Sequence, residues 1–134
     1  MEDCIFCKLA NGVFETNTLY EDENYRVIFD ASPATVGHVL IIPKEHYANV
    51  FEIPEELAGK AYILAKKVAA VLKEVTGCNG VNILQNNGEA AGQTVFHFHM
   101  HVIPRYDENI ITWKQNEVNQ EKVDGIIEKA KTLF

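Results

Sequence analysis

Residues 95–106 read Val-Phe-His-Phe-His-Met-His-Val-Ile-Pro-Arg-Tyr, with histidine at 97, 99 and 101. Strict alternation of this kind is the signature of an extended strand, where successive side chains point to opposite faces. Over about 95–104 the three histidines then share one face, neighbours standing roughly 6.6–6.8 Å apart along the backbone. Phe98, Met100 and Val102 turn the other way, into a core. Whatever the chain folds into must bury one side of this strand and use the other.

The rest of the sequence supplies the neighbours. "TLYEDENYRVIFD" alternates Tyr25, Val27 and Phe29 against Arg26, Ile28 and Asp30, which predicts a hairpin turning at Asp22–Asn24. "HVLIIP" is a strand stopped by Pro43, and "GVNILQ" is another. Pro54 opens a helix that Gly77 ends near Thr76. Its core stripe is Leu57, Ala61, Leu64, Val68, Val71, Leu72 and Val75. A weaker helix is expected from about Glu117 to Thr132, with Val123, Ile126, Ile127 and Ala130 available for packing. Strands joined by short turns, with few helices, make the class α+β with a mainly antiparallel sheet. Repeats, low-complexity tracts and linkers are missing, so residues 1–134 are expected to form one domain.

Composition narrows the partners. Twelve Lys and Arg stand against 19 Asp and Glu, for a net charge of −7, and the only arginines are Arg26 and Arg105. No basic stripe exists to displace counterions from a nucleic acid. A small phosphate ligand stays open, since backbone N–H groups and histidines can hold one. The acidic Met-Glu-Asp-Cys start lacks the basic region of a signal peptide, and no apolar run approaches the ~20 residues of a membrane span. The expectation is a cytoplasmic protein with no membrane partner. Cys4 and Cys7 form a C-x-x-C pair, which in that compartment suggests metal binding or redox chemistry, or else a reduced buried pair. Cys78 reads as a small buried thiol.

Three roles are open to the histidines. They can be a polar outer face, or ligands of a catalytic metal, which normally needs three protein ligands. Alternatively, a neutral imidazole can attack phosphorus and carry the transferred group covalently. That role needs one ring nitrogen bare and the other fixed as a donor, with further donors where charge builds on the phosphate. The loop "NNGEAAGQT", just before the strand, offers backbone N–H groups together with Gln93 and Thr94.

"HFHMHVI" resembles the histidine-φ-histidine-φ-histidine-φ-φ pattern of the histidine-triad (HIT) superfamily of nucleotide hydrolases and transferases. "CIFCKLANG", "VIFDASPATVGHVLIIPKEH" and "NNGEAAGQTVFHFHMHVIPRY" stand in the order and spacing of its small bacterial members, so the resemblance covers nearly the whole chain. It implies a HIT fold: about five antiparallel strands, one long helix and a C-terminal helix, usually paired into a homodimer. It implies His99 as the nucleophile at the α-phosphorus, its tautomer set by the carbonyl of His97, with His101 and His38 at the phosphate and leaving group. Gln93, Thr94 and Asn86 would lie by the phosphate, Asp30 would receive the ribose hydroxyls, and Ile28 would help sandwich the base. Cys4, Cys7, His46 and His97 would hold a structural zinc. The implied substrate is a purine nucleoside phosphoramidate or related small nucleotide conjugate. A dinucleoside polyphosphate hydrolase and a nucleotide-binding regulatory protein with incidental turnover are the alternatives. The tail "ENIITWKQNEVNQEKVDGIIEKAKTLF" is longer than that of the best-known phosphoramidase relatives, and Trp113 in it could reach a partner's site or cap a core.

Overall fold

A computed structural model of the chain describes residues 3–107 and 111–134. Met1 and Glu2, half of the acidic start, lie outside that range, as does the segment 108–110 of the tail. The elements in order are α1 (Ile5–Ala10), β1 (Thr18–Glu21), β2 (Tyr25–Phe29), β3 (Val39–Pro43), α2 (Glu55–Thr76), β4 (Gly80–Leu84), β5 (Met100–Arg105) and α3 (Gln120–Ala130). The strands form one antiparallel sheet in the order β1-β2-β3-β5-β4. This is the expected α+β architecture.

The hairpin turns where Asp22 can hold it, since its Oδ1 accepts from the N–H groups of Asn24 and Tyr25, both at 2.8 Å. The long helix starts after Pro54, carries Glu55 and Glu56 in its first turn, and ends on Gly77 in the left-handed region at φ 66°. The Gly77 N–H closes the last turn on the Lys73 carbonyl. Ala61, Leu64, Ala65, Val68 and Leu72 of α2 pack with Val27, Val39, Ile41, Phe98, Met100 and Val102 into the main core. Removing such a side chain, as in Leu72→Ala, costs about 2–5 kcal/mol. Val71 and Val75, expected on the same stripe, are instead exposed. The buried face is narrower than the apolar stripe because the sheet covers only one side of the helix.

On the opposite face of the sheet, Ile28, Leu40 and Ile42 pack under α1 against Ala10, Phe6 and Leu9. Register sets Ile28 opposite Leu40, and Leu40 opposite His101, so these three residues cross three strands on one face. The hairpin's alternation therefore separates two buried faces rather than an inside and an outside. Cys78 is a buried free thiol, as expected.

Two expectations need correcting. The strand foreseen over 95–104 has ladder pairing only from Met100, since β3 pairs with β5 through Val39–Ile41 alone. The preceding residues keep the alternation but bond elsewhere: the Phe98 N–H donates to the Tyr47 carbonyl at 2.6 Å. Pro43 has no N–H to extend the ladder, and its carbonyl takes the His97 side chain instead. The C-terminal helix is also shorter than 117–132, and Val123, Ile126 and Ile127 on it are exposed. Amphipathicity gave it an apolar row but not a surface of its own chain to cover. Trp113, at 80% exposure, caps no core.

Candidate active site and metal cluster

The alternation of 97–101 places each histidine against a different backbone partner. His99 is 7% exposed, and its Nδ1 lies 2.7 Å from the carbonyl oxygen of His97. A carbonyl can only accept, so Nδ1 carries the proton and Nε2 is bare. Phe6 of α1 sets its ring edge-on to this imidazole at 4.8 Å. Burial pushes the His99 pKa below the ordinary histidine range, against the opposing pull of the His97 carbonyl and of Asp30. His101 stands beside it, ring centroids 5.1 Å apart, and burial together with His99 and His38 lowers its pKa to about 4.

His38, just before β3, reaches His101 across the sheet with Nε2 to Nδ1 at 2.9 Å. Its Nε2 also lies 3.5 Å from Asp30 Oδ2, and its Nδ1 accepts from the Ala34 N–H at 2.9 Å. Burial lowers the pKa of His38 too, with Asp30 opposing. The loop that carries this pair is folded back on β5. Thr35 Oγ1 donates to the Pro104 carbonyl and the Tyr106 hydroxyl to that of Val36, both at 2.6 Å. Gly37 makes the closure possible at φ 94°, where a Cβ would meet Pro104 Cγ at 3.1 Å.

His97 is fully buried and turns away from this group. Its Nε2 donates to the Pro43 carbonyl at 2.8 Å, which leaves Nδ1 bare. That nitrogen lies 3.3 Å from the sulfurs of both Cys4 and Cys7 and 3.1 Å from His46 Nδ1. All four ligand atoms fall within 4.8 Å of one another. A tetrahedral zinc with bonds of ~2.0–2.3 Å has ligand–ligand edges of roughly 3.3–3.8 Å, close to these separations. The donor set fits such an ion: a lone pair without a proton is aimed at two sulfurs and a second imidazole. The Cys7 N–H donates to Cys4 Sγ at 3.4 Å, which suits a thiolate. Burial and the neighbouring Cys4 raise the Cys7 pKa, so a cation is what would hold the Cys7 sulfur ionised.

The remaining expected site residues fall in different surroundings. Asp30 lines a cleft of about 680 Å³ with Phe14, Asn17, Thr18, Arg26 and Phe29. Ile28 is 3% exposed beneath α1. Gln93 is 2% exposed and committed internally: its Nε2 donates to the carbonyls of Ala48 (2.7 Å) and Val95 (3.0 Å), and its Oε1 accepts from the Gly88 N–H at 2.8 Å. It braces the loop, with both amide protons committed to those two carbonyls. Asn86 is half-buried, its amide nitrogen beside Gly92 in the same loop. Thr94 is exposed on a groove shared with Cys4, His46 and Phe96, on the side of the cysteine–histidine cluster. Pro43 and Ala34 act through main-chain groups, which leave no mark in a sequence, whereas Phe6 stood in plain sight between the two cysteines.

The chain belongs to the HIT family: the HIT domain matches residues 11–108. It is 47% identical over 105 residues to "Protein hit" of Bacillus subtilis, covering 78% of this chain and 72% of that one. It is 38% identical over 123 residues to adenosine 5'-monophosphoramidase HNT1 of Saccharomyces cerevisiae, covering 90% and 75% respectively. A crystal structure of a Zn-bound histidine triad family protein from Mycobacterium smegmatis superposes with a TM-score of 0.78 at 31% identity, covering 97% of this chain and 99% of the other.

Proposed function

We propose that the chain hydrolyses or transfers at the α-phosphate of a small nucleotide conjugate, a purine nucleoside phosphoramidate or a near relative, through a nucleotide carried on His99. The observation that carries this reading is the His99–His97 carbonyl contact, which leaves a buried, neutral imidazole with Nε2 bare. The similarity to an adenosine 5'-monophosphoramidase supports the substrate class.

In the first step the Nε2 lone pair bonds to phosphorus as the bond to the leaving atom breaks and its electron pair departs with that atom. An amine leaving group gains a proton from water. In the second step water attacks phosphorus, the N–P bond breaks back onto Nε2, and the proton of the water is released. His101 and His38 stand at the phosphate and leaving group, His101 as the donor and His38 behind it with its Nε2–H on His101 Nδ1, and Asp30 takes the ribose hydroxyls. Asn86 and Thr94 sit at the rim of the phosphate region, with Gln93 as the brace of that loop. Ile28 backs the base from below.

Cys4, Cys7, His46 and His97 are proposed as the ligands of a structural zinc, a reading supported by their convergence and by the Zn-bound relative. A zinc ion bound there supplies a cross-link and leaves no open position for water. The same reading has all 134 residues working as one domain, in a cytoplasmic homodimer, with a small nucleotide as substrate and neither nucleic acid nor membrane as partner. No described helix is long and apolar enough to cross a membrane.

Assaying purine nucleoside phosphoramidates and dinucleoside polyphosphates side by side tests the substrate class. A higher kcat/KM for the phosphoramidates is expected. Faster turnover of the polyphosphates would replace the substrate class, and binding without turnover of either would make the chain a nucleotide-binding protein.

A further inference from the structure

Two clusters among the described residues have metal-ligand chemistry: Cys4, Cys7, His46 and His97, and, beside the proposed nucleophile, Asp30, His38 and His101. In both, the candidate ligand atoms lie within 4.8 Å of one another. An imidazole binds a metal through a bare nitrogen while its other nitrogen, protonated, donates to an acceptor. His97 conforms, because Nε2 donates to the Pro43 carbonyl and Nδ1 faces the cysteines.

His38 is wired with the opposite polarity. Its Nδ1 accepts from the backbone N–H of Ala34, and an amide N–H cannot accept in return. Nδ1 therefore has no proton, and Nε2 must carry it. That Nε2 is the nitrogen aimed into the cluster, 2.9 Å from His101 Nδ1 and 3.5 Å from Asp30 Oδ2. Facing an N–H, the Nδ1 of His101 can only accept, so the His101 proton sits on Nε2. A metal ion on His38 would have to strip Nε2 to an imidazolate, or move its proton onto Nδ1 against the Ala34 N–H. The amide itself is held in place by the bonds that Thr35 and Val36, just before the Gly37 turn, make with Pro104 and Tyr106.

We propose that the Ala34 amide is a tautomer lock: it commits the one N–H of His38 to His101 Nδ1, which leaves His101 with an Nε2–H for a phosphoryl oxygen, and it withholds the pair from metal ions. Ala34 is thus a positioning residue that acts through its backbone. A carbonyl at Pro43 and an amide at Ala34 sort the two clusters, one ready for zinc and one closed to it. The phosphoryl half of this statement rests on the function proposed above, whereas the tautomers and the refusal of metal do not.

The test is made on free, zinc-loaded protein, so it stands or falls apart from any catalytic reading. Nitrogen-15 spectra of histidine-labelled wild type should show His38 and His101 each with an unprotonated Nδ1 and a protonated Nε2. A Nδ1–H form of His38 would overturn the proposal. In parallel, the zinc-loaded wild type should take up no Co2+ at this cluster. Ala34→Pro, which removes the N–H, should take up one equivalent with ligand-field bands and no added sulfur charge-transfer band. Cobalt uptake by the wild-type cluster, or refusal by a folded Ala34→Pro protein, would contradict the lock. Should Ala34→Pro fail to fold, the wild-type spectra decide alone.

Discussion

His97 donates its ring Nε2–H to the Pro43 carbonyl while its own carbonyl accepts from His99 Nδ1, so one residue links the candidate metal cluster to the proposed nucleophile. The side chain belongs to one site and the backbone to the other. Changes at the cysteines should therefore reach catalysis through the position of that carbonyl and of Phe6, whose ring lies edge-on to His99.

This gives the first prediction. Cys4→Ser combined with Cys7→Ser should remove zinc and lower Tm by at least about 5 °C, since ~1 kcal/mol shifts Tm by roughly 3–5 °C at this size. Activity should fall but remain measurable, and added zinc should not restore it. Metal analysis and calorimetry check the first part, and zinc titration of the assay checks the second. Activity that vanished and returned with zinc would favour a catalytic metal.

The pH profile follows from the protonation states. Attack requires neutral His99, and burial moves its pKa down from the ordinary value of about 6.5. Activity is then full at neutral pH, and kcat/KM should fall only as pH drops below that ordinary value. An acid limb centred above pH 7 would count against a buried neutral nucleophile.

Stability should change with pH in the same direction. His101 is held down to about 4 in the folded chain, against about 6.5 when unfolded. Between those values the unfolded state binds more protons, so stability is complete above about pH 6.5 and declines toward pH 4. One such group contributes a slope of up to ~1.4 kcal/mol per pH unit. Denaturant melts of wild type and His101→Asn across this window should differ in slope by about that amount, and equal slopes would refute the assignment.

Gln93 offers a test of the loop. Gln93→Ala removes the buried partner of the half-buried Gly88 N–H and of the Ala48 and Val95 carbonyls. The expected cost is roughly 2–3 kcal/mol, with a lower kcat as the approach to His97 and His99 loosens. A change below about 0.5 kcal/mol, measured by urea unfolding, would show that the amide braces nothing.

Much of this architecture is legible in the chain because side-chain period is a local property. The alternation at 97–101 places the histidines on one face even where ladder pairing stops, and Pro54 and Gly77 bound the long helix. What period cannot say is what a face will meet. The apolar rows of α3 and of Val71 and Val75 read like core, yet they remain exposed. The site divides in the same way. Residue types in "CIFC", "PKEH" and the triad point to the two clusters, but the tautomers depend on the Pro43 carbonyl and the Ala34 amide, and a backbone group is the same at every residue.

The central claim is that His99 carries the nucleotide. Its most direct test is intact-protein mass spectrometry after rapid quench with an adenosine phosphoramidate, on wild type and on His99→Ala. The account predicts a single nucleotidyl adduct on the wild type, mapped to His99. It predicts none on His99→Ala, with turnover lost and nucleotide binding largely kept. A His99→Ala protein that still turned over at near the wild-type kcat would contradict it.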